Sequence, residues 1–327
     1  MKVLLRIFIV ITVLIAGLIV FVMASWDKNY DIELPDIKAS TDSVVIARGE
    51  HLIFGPAHCA TCHMPVDKFD EVEAGAKLPL QGGWELDIPP GIFRAPNLTP
   101  DESGIGKYSD GEIARALRHM VNPMGKAMFP FMPFQNISDE DLTSIISYLR
   151  SQKAVYNKLQ RTELSFLGKA LSALGAIVPE GPKTTPPASV SIDSTAEYGK
   201  YLARSVANCV GCHTERDLKT GEFIGEDFAG GLRLPPDPLS KGKSFITPNI
   251  TPDNETGKMV SWNESVFITR FKAGRVIDGS PMPWGAFSNM DTLELKALYR
   301  FLQTISPVKN KIDKLEFAPG EEFPEEG

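Results

Sequence analysis

The sequence predicts an all-α protein with two tandem domains behind one N-terminal transmembrane helix. Three observations lead to this prediction. An unbroken apolar run opens the chain, over residues 7–24. Two parts of the chain, about 150 residues apart, carry the same short motifs in the same order. Each part ends in an amphipathic pattern with apolar residues at i, i+3, i+4 and i+7, as in a helix, and no alternating Val/Ile/Thr-rich run competes with it.

Length and composition limit the class of protein. The chain has 327 residues, of which 43% are hydrophobic and 23% charged, and its formal net charge is −7. The length suggests two domains, and the composition excludes wholesale disorder and a polytopic membrane protein. The acidic balance argues against a nucleic-acid partner, because phosphate binding needs a basic surface. Four cysteines are compatible with two disulfides, one zinc site or two redox motifs, so their spacing decides the function class.

The N-terminal segment is predicted to carry the rest of the chain across a membrane. Lys2 and Arg6 precede the apolar run of residues 7–24, which reaches the lower limit of length for a spanning helix. Basic residues on this side predict that it stays inside and that everything after Trp26 lies outside. We expect an uncleaved transmembrane signal-anchor over residues 1–25. A cleaved signal peptide, ending near residues 22–24, is the alternative, and both interpretations export the remaining chain.

The cysteines fall into two C-x-x-C-H motifs, at residues 59–63 and 209–213. In such a motif two thiols add across the vinyl groups of one haem, and the adjacent histidine ligates the iron. A four-cysteine zinc site usually has its halves closer together, and a thiol redox motif does not require histidine at the next position, twice. The sequence therefore predicts two covalent haem c groups. The residues predicted to bind them are Cys59, Cys62, His63, Cys209, Cys212 and His213. The three other histidines (His51, His58 and His119) are expected to be surface or core residues.

An internal repeat selects the second iron ligand. Residues 96–101 (PNLTPD) and 248–253 (PNITPD) match, as do the glycine pairs at 82–83 and 230–231. A Met-Pro-aromatic triplet also recurs, with Met132 and Met282 each 69 residues after the histidine of its motif. A single methionine is usually core filler, but equal spacing predicts that these two are axial ligands. Thioether ligation would raise the reduction potential, and the neighbouring prolines would stiffen the loop that holds the sulfur.

The residues that mark the starts and the crossings of helices also recur in the two halves. Ser138 and Asp291 are plausible N-caps of a closing helix in each half, and the second is followed by Glu294 in a capping-box pattern. Helices are also expected around Gly49 and Gly199, ending near the haem motifs. Glycine inside a helix costs about 1 kcal/mol relative to alanine. Its repetition therefore predicts close helix crossings, against an aromatic residue such as Tyr148 or Phe301.

The remaining segments are predicted from periodicity and composition. Residues 162–178 carry leucines on one helical face, which indicates an amphipathic inter-domain helix or, alternatively, a helix that faces a partner or a membrane. Residues 179–189 are rich in Pro and Thr and are expected to be a linker. Residues 316–327 carry five glutamates and are expected to be a solvated tail, with a docking role as the alternative.

These motifs resemble those of the diheme and multiheme c-type cytochrome subunits of membrane-bound bacterial dehydrogenases, such as those for alcohols, gluconate and aldehydes. The resemblance covers about residues 45–305 and includes the segment GIGKYSD at residues 104–110. It implies a cytochrome c fold in each half, and thus two tandem cytochrome c domains. Many of those subunits carry three haem motifs where this chain has two, and its second half reads ETGK at residues 255–258 in place of the Gly-Ile-Gly motif.

The expected organisation follows from the motifs and the resemblance together. It consists of an anchor (1–25), a linker (26–44), cytochrome c domain 1 (45–155), an inter-domain helix and Pro/Thr linker (156–190), cytochrome c domain 2 (191–308) and an acidic tail (309–327). The location is expected to be the periplasmic side of the bacterial inner membrane, or the soluble periplasm if the anchor is cut.

The first functional hypothesis is an electron-transfer protein without substrate chemistry, because both irons would have two protein ligands. The resemblance implies redox partners that are a dehydrogenase subunit, a quinone-linked complex or a terminal oxidase. The alternative is a diheme enzyme, such as a peroxidase or a small-molecule dehydrogenase, in which one axial ligand is displaceable. A haem-based sensor is a third hypothesis, but no signalling domain accompanies the haem motifs.

Overall fold

Helices dominate the protein, as the computed structural model shows for residues 1–217 and 220–324. The helices are α1 (Lys2–Ser25), α2 (Ser43–Phe54), α3 (Ala60–His63), α4 (Phe69–Glu73), α5 (Asp110–His119), α6 (Asp139–Ser151), α7 (Phe166–Leu174), α8 (Ala196–Tyr201), α9 (Cys209–Cys212), α10 (Glu264–Lys272), α11 (Trp284–Ser288) and α12 (Thr292–Leu302). A 3₁₀ turn spans Val66–Lys68, and a π-helical turn, Leu202–Val206, continues α8.

Two small antiparallel sheets correct the all-α prediction. The strands are β1 (Glu85–Ile88), β2 (Gly91–Arg94), β3 (Glu163–Leu164), β4 (Arg233–Leu234), β5 (Ser244–Ile246) and β6 (Glu316–Phe317). The order is β1-β2-β3 in one sheet and β4-β5-β6 in the other. Glu85 pairs with Arg94, and Arg233 pairs with Ile246. Strands of two to four residues are too short to show an alternating pattern, so periodicity did not reveal them.

Helix α1 has the length and polarity expected of the N-terminal segment. It has 24 residues and a mean hydropathy of 3.2 over its most apolar window, and nearly all of that window is exposed. Among the described residues, one helix, α1, is long and apolar enough to cross a membrane. Val22 near its C-terminal end is completely buried.

The two closing helices begin at the predicted residues. Ser138 Oγ accepts a hydrogen bond from Asp141 N at the start of α6. Asp291 and Glu294 form a reciprocal capping box at the start of α12. In each half, the helix before the haem motif packs across the closing helix, α2 on α6 and α8 on α12.

The two glycine crossings are confirmed. A Cβ atom on Gly49 would lie 1.9 Å from Ser144 O and 2.9 Å from Tyr148 Cβ. A Cβ atom on Gly199 would lie 1.9 Å from Ala297 O and 2.8 Å from Phe301 Cβ. Glycine is therefore required because backbone passes directly over backbone.

Replacement of Gly49 or Gly199 by alanine is expected to lower the free energy of unfolding by about 1 kcal/mol, the difference between the two opposing effects. Alanine gains about 1 kcal/mol as a helix former, but a contact of 1.9 Å forces the helices apart, and overpacking typically costs about 1–3 kcal/mol. Guanidinium unfolding of the purified chain, followed by circular dichroism, measures the change. Gly17→Ala is the control, because a Cβ there meets nothing within 4 Å. A midpoint for Gly49→Ala equal to that of the control would contradict the prediction.

The segments after the closing helices occupy equivalent places. Strand β3 adds to β2, and β6 adds to β5, so each sheet takes its third strand from beyond α6 or α12. Phe317 in β6 is buried. The start of the predicted acidic tail is thus part of the second sheet, although Glu316 and residues 318–322 are exposed, and residues 325–327 lie outside the described residues. Domain boundaries at 155 and 308 remain predictions.

The other connecting segments follow the sequence more closely. Helix α7 forms within residues 162–178, as predicted. Residues 179–189 contain no helix or strand, but their end is held, because Asp139 N and Glu140 N donate to Pro187 O and Ala188 O. The linker therefore supplies acceptors to the free backbone donors at the start of α6.

Candidate functional site

The two C-x-x-C-H motifs fold in the same way. Each forms a single helical turn in which His63 N donates to Cys59 O (3.0 Å) and His213 N donates to Cys209 O (2.8 Å). The residue before each motif has a positive φ, 43° at His58 and 51° at Asn208. This left-handed residue turns the chain sharply, so that a one-turn helix presents both thiols and the histidine.

Each histidine of the motifs is oriented by a proline carbonyl. His63 Nδ1 lies 3.0 Å from Pro96 O, and His213 Nδ1 lies 3.0 Å from Pro248 O. Burial lowers the pKa of both imidazoles, against the opposing effect of these carbonyls. Each ring is therefore neutral and donates from Nδ1, which leaves the Nε2 lone pair for a metal ion.

The glycine pairs allow this close approach. Gly82 N donates to His63 O, and Gly230 N donates to His213 O. Both glycines have a positive φ, and a Cβ on either would lie within 2.6 Å of the backbone at Pro96 or Pro248. Only glycine lets the chain pass between the motif and the carbonyl that orients its histidine.

The Asn and Thr of the repeated PNxTPD segment lock that carbonyl in place. Asn97 Oδ1 accepts from Thr99 N and Thr99 Oγ1, while its Nδ2 donates to Val155 O. In the second half, Asn249 makes the same bonds to Thr251 and Val308. Asn97 and Asn249 are buried. This segment therefore ties each histidine-orienting loop to the chain beyond the closing helix.

The two Met-Pro-aromatic triplets share one turn. Phe134 N donates to Met132 O at 2.9 Å, and Trp284 N donates to Met282 O at 2.8 Å, so each proline sits at the centre of a three-residue turn. Met132, Met282, Cys59 and Cys209 all pack against the continuous apolar core. The backbone around the two methionines thus has the same local fold in both halves. Their ligation of iron remains a prediction.

The thiols are neutral; those of Cys59, Cys62 and Cys209 are partly buried and that of Cys212 is exposed. Burial raises the pKa of Cys59 and Cys209 to about 12. Burial, and after it the carboxylate of Asp237, raises the pKa of Cys62 to about 12. Desolvation by neighbouring protein atoms also raises the pKa of Cys212, against the charge of Arg216. A pair of neutral thiols beside an oriented imidazole suits covalent attachment of a flat apolar ring better than capture of a cation.

Orphaned donors provide a further test of fit to haem. Trp84 Nε1, Arg115 Nε, Arg216 Nε and Arg270 Nη2 are buried and find no acceptor among residues 1–217 and 220–324. A buried donor without an acceptor costs about 1–3 kcal/mol. The two propionates of a haem are carboxylate acceptors. Two of the four donors lie in each half of the chain, which fits one haem in each half.

The region of the first C-x-x-C-H motif is held against the second half. The His58 ring meets the Phe287 ring edge-on at 5.6 Å, and Asn289 Nδ2 donates to Phe54 O at 2.9 Å. Arg275 Nε lies 2.7 Å from Glu73 Oε2. The first site is thus in contact with the α11 region of the second half.

A buried polar cluster joins the closing helices of the two halves, and sequence reasoning missed it. Arg48 donates to Asp141 Oδ1 (2.9 Å) and lies 3.4 Å from Glu294 Oε1. His51 Nε2 donates to Glu294 Oε2 at 2.8 Å, and Tyr201 OH donates to Asp141 Oδ2 at 2.8 Å. His51 and Tyr201 occupy equivalent positions of the repeat, as do Asp141 and Glu294, so the two contacts are related by a pseudo-twofold arrangement. The sequence signal that could have revealed the cluster is the equivalence of residues 51 and 201 in the internal repeat.

Comparison with known proteins relates the chain to cytochromes c. Residues 46–153 match the family model of cytochrome c. The chain is 27% identical over 285 residues to the cytochrome c subunit of alcohol dehydrogenase (quinone) from Gluconacetobacter polyoxogenes, covering 82% of this chain and 57% of the relative. It is 26% identical over 248 residues to the gluconate 2-dehydrogenase cytochrome c subunit of Pantoea cypripedii, covering 72% and 52%.

A shorter relative is also similar. The diheme cytochrome c-type protein of Cereibacter sphaeroides is 29% identical over 212 residues, covering 63% of this chain and 67% of that protein. The chain spans about half the length of the two dehydrogenase subunits. It contains a cytochrome c domain, which includes the first haem-attachment motif, and over most of its length it resembles the cytochrome c subunits of bacterial dehydrogenases.

Proposed function

We propose that the chain is a diheme c-type cytochrome that relays single electrons from an exported or membrane-bound dehydrogenase to a downstream acceptor. The observation that carries this proposal is the repeated environment of His63 and His213, in which a proline carbonyl fixes Nδ1 and leaves Nε2 free. The relatives named as dehydrogenase cytochrome subunits support the class of donor. A quinone-linked complex or a terminal oxidase is the proposed acceptor.

The proposed iron ligands are His63 and Met132 in the first half, and His213 and Met282 in the second. Each haem, once bound, supplies an iron that changes by one electron. The chain holds each imidazole neutral, orients it, and stiffens the methionine loop with proline. Because both coordination positions would be filled, substrate has no open position to enter, and the chain acts by electron transfer alone.

The contacts between the halves support a relay through both sites. Electron transfer between two centres slows steeply with distance, so the separation must be held. The edge contact of His58 with Phe287 and the Glu73–Arg275 ion pair fix the first site against the second half. We propose two tandem cytochrome c domains on the periplasmic side of the inner membrane, anchored by α1.

Met132→Ala and Met282→Ala are each expected to lower the potential of one haem and to convert it to a form that binds carbon monoxide. Removal of the thioether opens the sixth position and takes away the ligand that favours ferrous iron. Redox titration and carbon monoxide difference spectra of the purified full chain provide the measurement. Met124→Ala is the control, because this methionine is exposed and outside the repeat.

The unaltered protein should contain two low-spin haems c and should not bind carbon monoxide. Ready binding at one haem, together with peroxide turnover, would instead support the diheme enzyme.

A further inference from the structure

Helix α7 buries small side chains and exposes large apolar ones, which is the reverse of a helix on the surface of a water-soluble protein. Its buried side consists of small residues, Gly168, Ser172 and Ala173. Its outer side presents Phe166, Leu167 and Leu174, which are 49%, 48% and 68% exposed. A surface helix normally turns its large apolar residues inward. This outer face therefore suits an apolar environment that the chain itself does not supply.

Close backbone contact fixes the orientation of this face. Ser165 N and Oγ donate to Pro90 O and Pro89 O, at the turn between β1 and β2. A Cβ on Gly168 would lie 2.0 Å from Pro90 O, so the helix is seated directly on that turn. Rotation of α7 to hide its large side chains would break this contact.

The same helix lies beside the end of α1. Ser172 Oγ donates to Trp26 O at 2.7 Å, and Lys28 Nζ donates to Ala173 O at 3.0 Å. Helix α7 packs against α1, in which Val22 is completely buried. Val22 precedes the end of α1 by about one turn, or roughly 5 Å. Helix α7 is thus at the level where the apolar helix meets the water-soluble part.

The charges and aromatic groups at this level suit a bilayer surface. The Lys169 ammonium lies 5.1 Å from the centre of the Trp26 ring, and Lys28 reaches the C-terminal half of α7. Tryptophan and lysine are typical of the headgroup region. Val178, which is 43% exposed, continues the apolar side chains beyond the helix.

We propose that α7 is an interfacial helix, whose outer face of Phe166, Leu167 and Leu174 lies in the headgroup and acyl boundary of the bilayer that α1 crosses. The inference rests on the proposed membrane attachment through α1. Its consequence is a second attachment of the first half to the membrane. The side of the β1–β2 turn on which α7 lies then faces the lipid, and the haem sites are held at a constant distance from the membrane surface.

Photocrosslinking of the full haem-loaded chain in lipid nanodiscs tests the proposal. Benzoylphenylalanine replaces Phe166 or Leu174, both exposed enough to accept it, in discs of phosphatidylethanolamine and phosphatidylglycerol. The positive control is Leu14 in α1, and the negative control is Val260, an exposed apolar residue of the second half. Mass spectrometry identifies the adducts.

We expect lipid adducts at positions 14, 166 and 174, with those at 166 and 174 at least tenfold more abundant than at 260. Lipid adducts at position 14 alone would overturn the interfacial role of α7 and would still support the α1 anchor. Absence of lipid adducts at all positions would overturn both the anchor and the inference that rests on it. Crosslinking of 166 and 174 to a protein in native membranes, without lipid adducts, would identify a subunit interface instead.

Discussion

A chain in which Cys209 and Cys212 are both replaced by alanine is expected to retain one covalent haem and to lose the electron relay. The two motifs use separate thiols, and each forms its own one-turn helix with its own oriented histidine. Loss of one pair of thioether bonds therefore leaves the other motif intact. The haem content of the purified chain, measured as the pyridine haemochrome, should fall from two per chain to one.

The reciprocal variant, Cys59→Ala with Cys62→Ala, is the matched control. It should also contain one haem, with the absorption and potential of the second site. Summed spectra of the two single-haem variants should reproduce that of the parent. Electron transfer from a reduced donor to an acceptor should fall to the background rate in both. Two haems in either variant, or none in both, would contradict independent attachment at the two motifs.

The haem motifs and the helix crossings could be predicted from the sequence because each depends on residues close together along the chain. Covalent attachment requires two thiols and a histidine within five residues. The crossings at Gly49 and Gly199 were visible because the repeat placed glycine, twice, where helix propensity disfavours it. The N-caps Ser138 and Asp291 likewise act on donors within three residues of themselves.

The sheets and the polar cluster depend on partners that are distant along the chain. Strand β3 has two residues and lies some 70 residues beyond β2, so nothing local marks it as a strand. His51 and Glu294 are separated by 243 positions. On a helical wheel, Arg48 and His51 look like solvated residues, and only the packing of the two halves buries them. The capping pattern assigned Glu294 correctly to the start of α12 without revealing its partners in α2.

Replacement of Glu294 by alanine is expected to lower the free energy of unfolding by about 3–5 kcal/mol, the cost of breaking a buried ion pair from one side. The Glu294 side chain is 1% exposed, and it accepts from His51, Tyr198 and the Asp291 backbone. Its removal leaves these donors, and one face of Arg48, without a partner in the core. Guanidinium unfolding of the holo-chain at pH 7, followed by circular dichroism, measures the loss.

Glu197→Ala is the matched control, since Glu197 pairs with Lys200 on α8, which packs against α12, but its side chain is 84% exposed. Exposed pairs contribute about 0–1 kcal/mol, so the control should unfold close to the parent. Equal midpoints for the two variants would show that the cluster does not stabilise the contact between the halves.

The stabilisation by Glu294 should also depend on pH in a defined direction. Burial alone would raise the pKa of Glu294, but the hydrogen bond and charge of His51, the Asp291 amide and Arg48 together hold this pKa below its ordinary value. A carboxylate with a lowered pKa in the folded state stabilises the fold above the unfolded pKa, about 4.3, and the stabilisation is lost as the pH falls through the folded value. The parent should therefore lose more stability between pH 6 and acid than Glu294→Gln does. Because this residue joins the two halves, the same acid step should also slow electron transfer between the haem sites in the parent, and the Gln variant should show that slower rate already at pH 7.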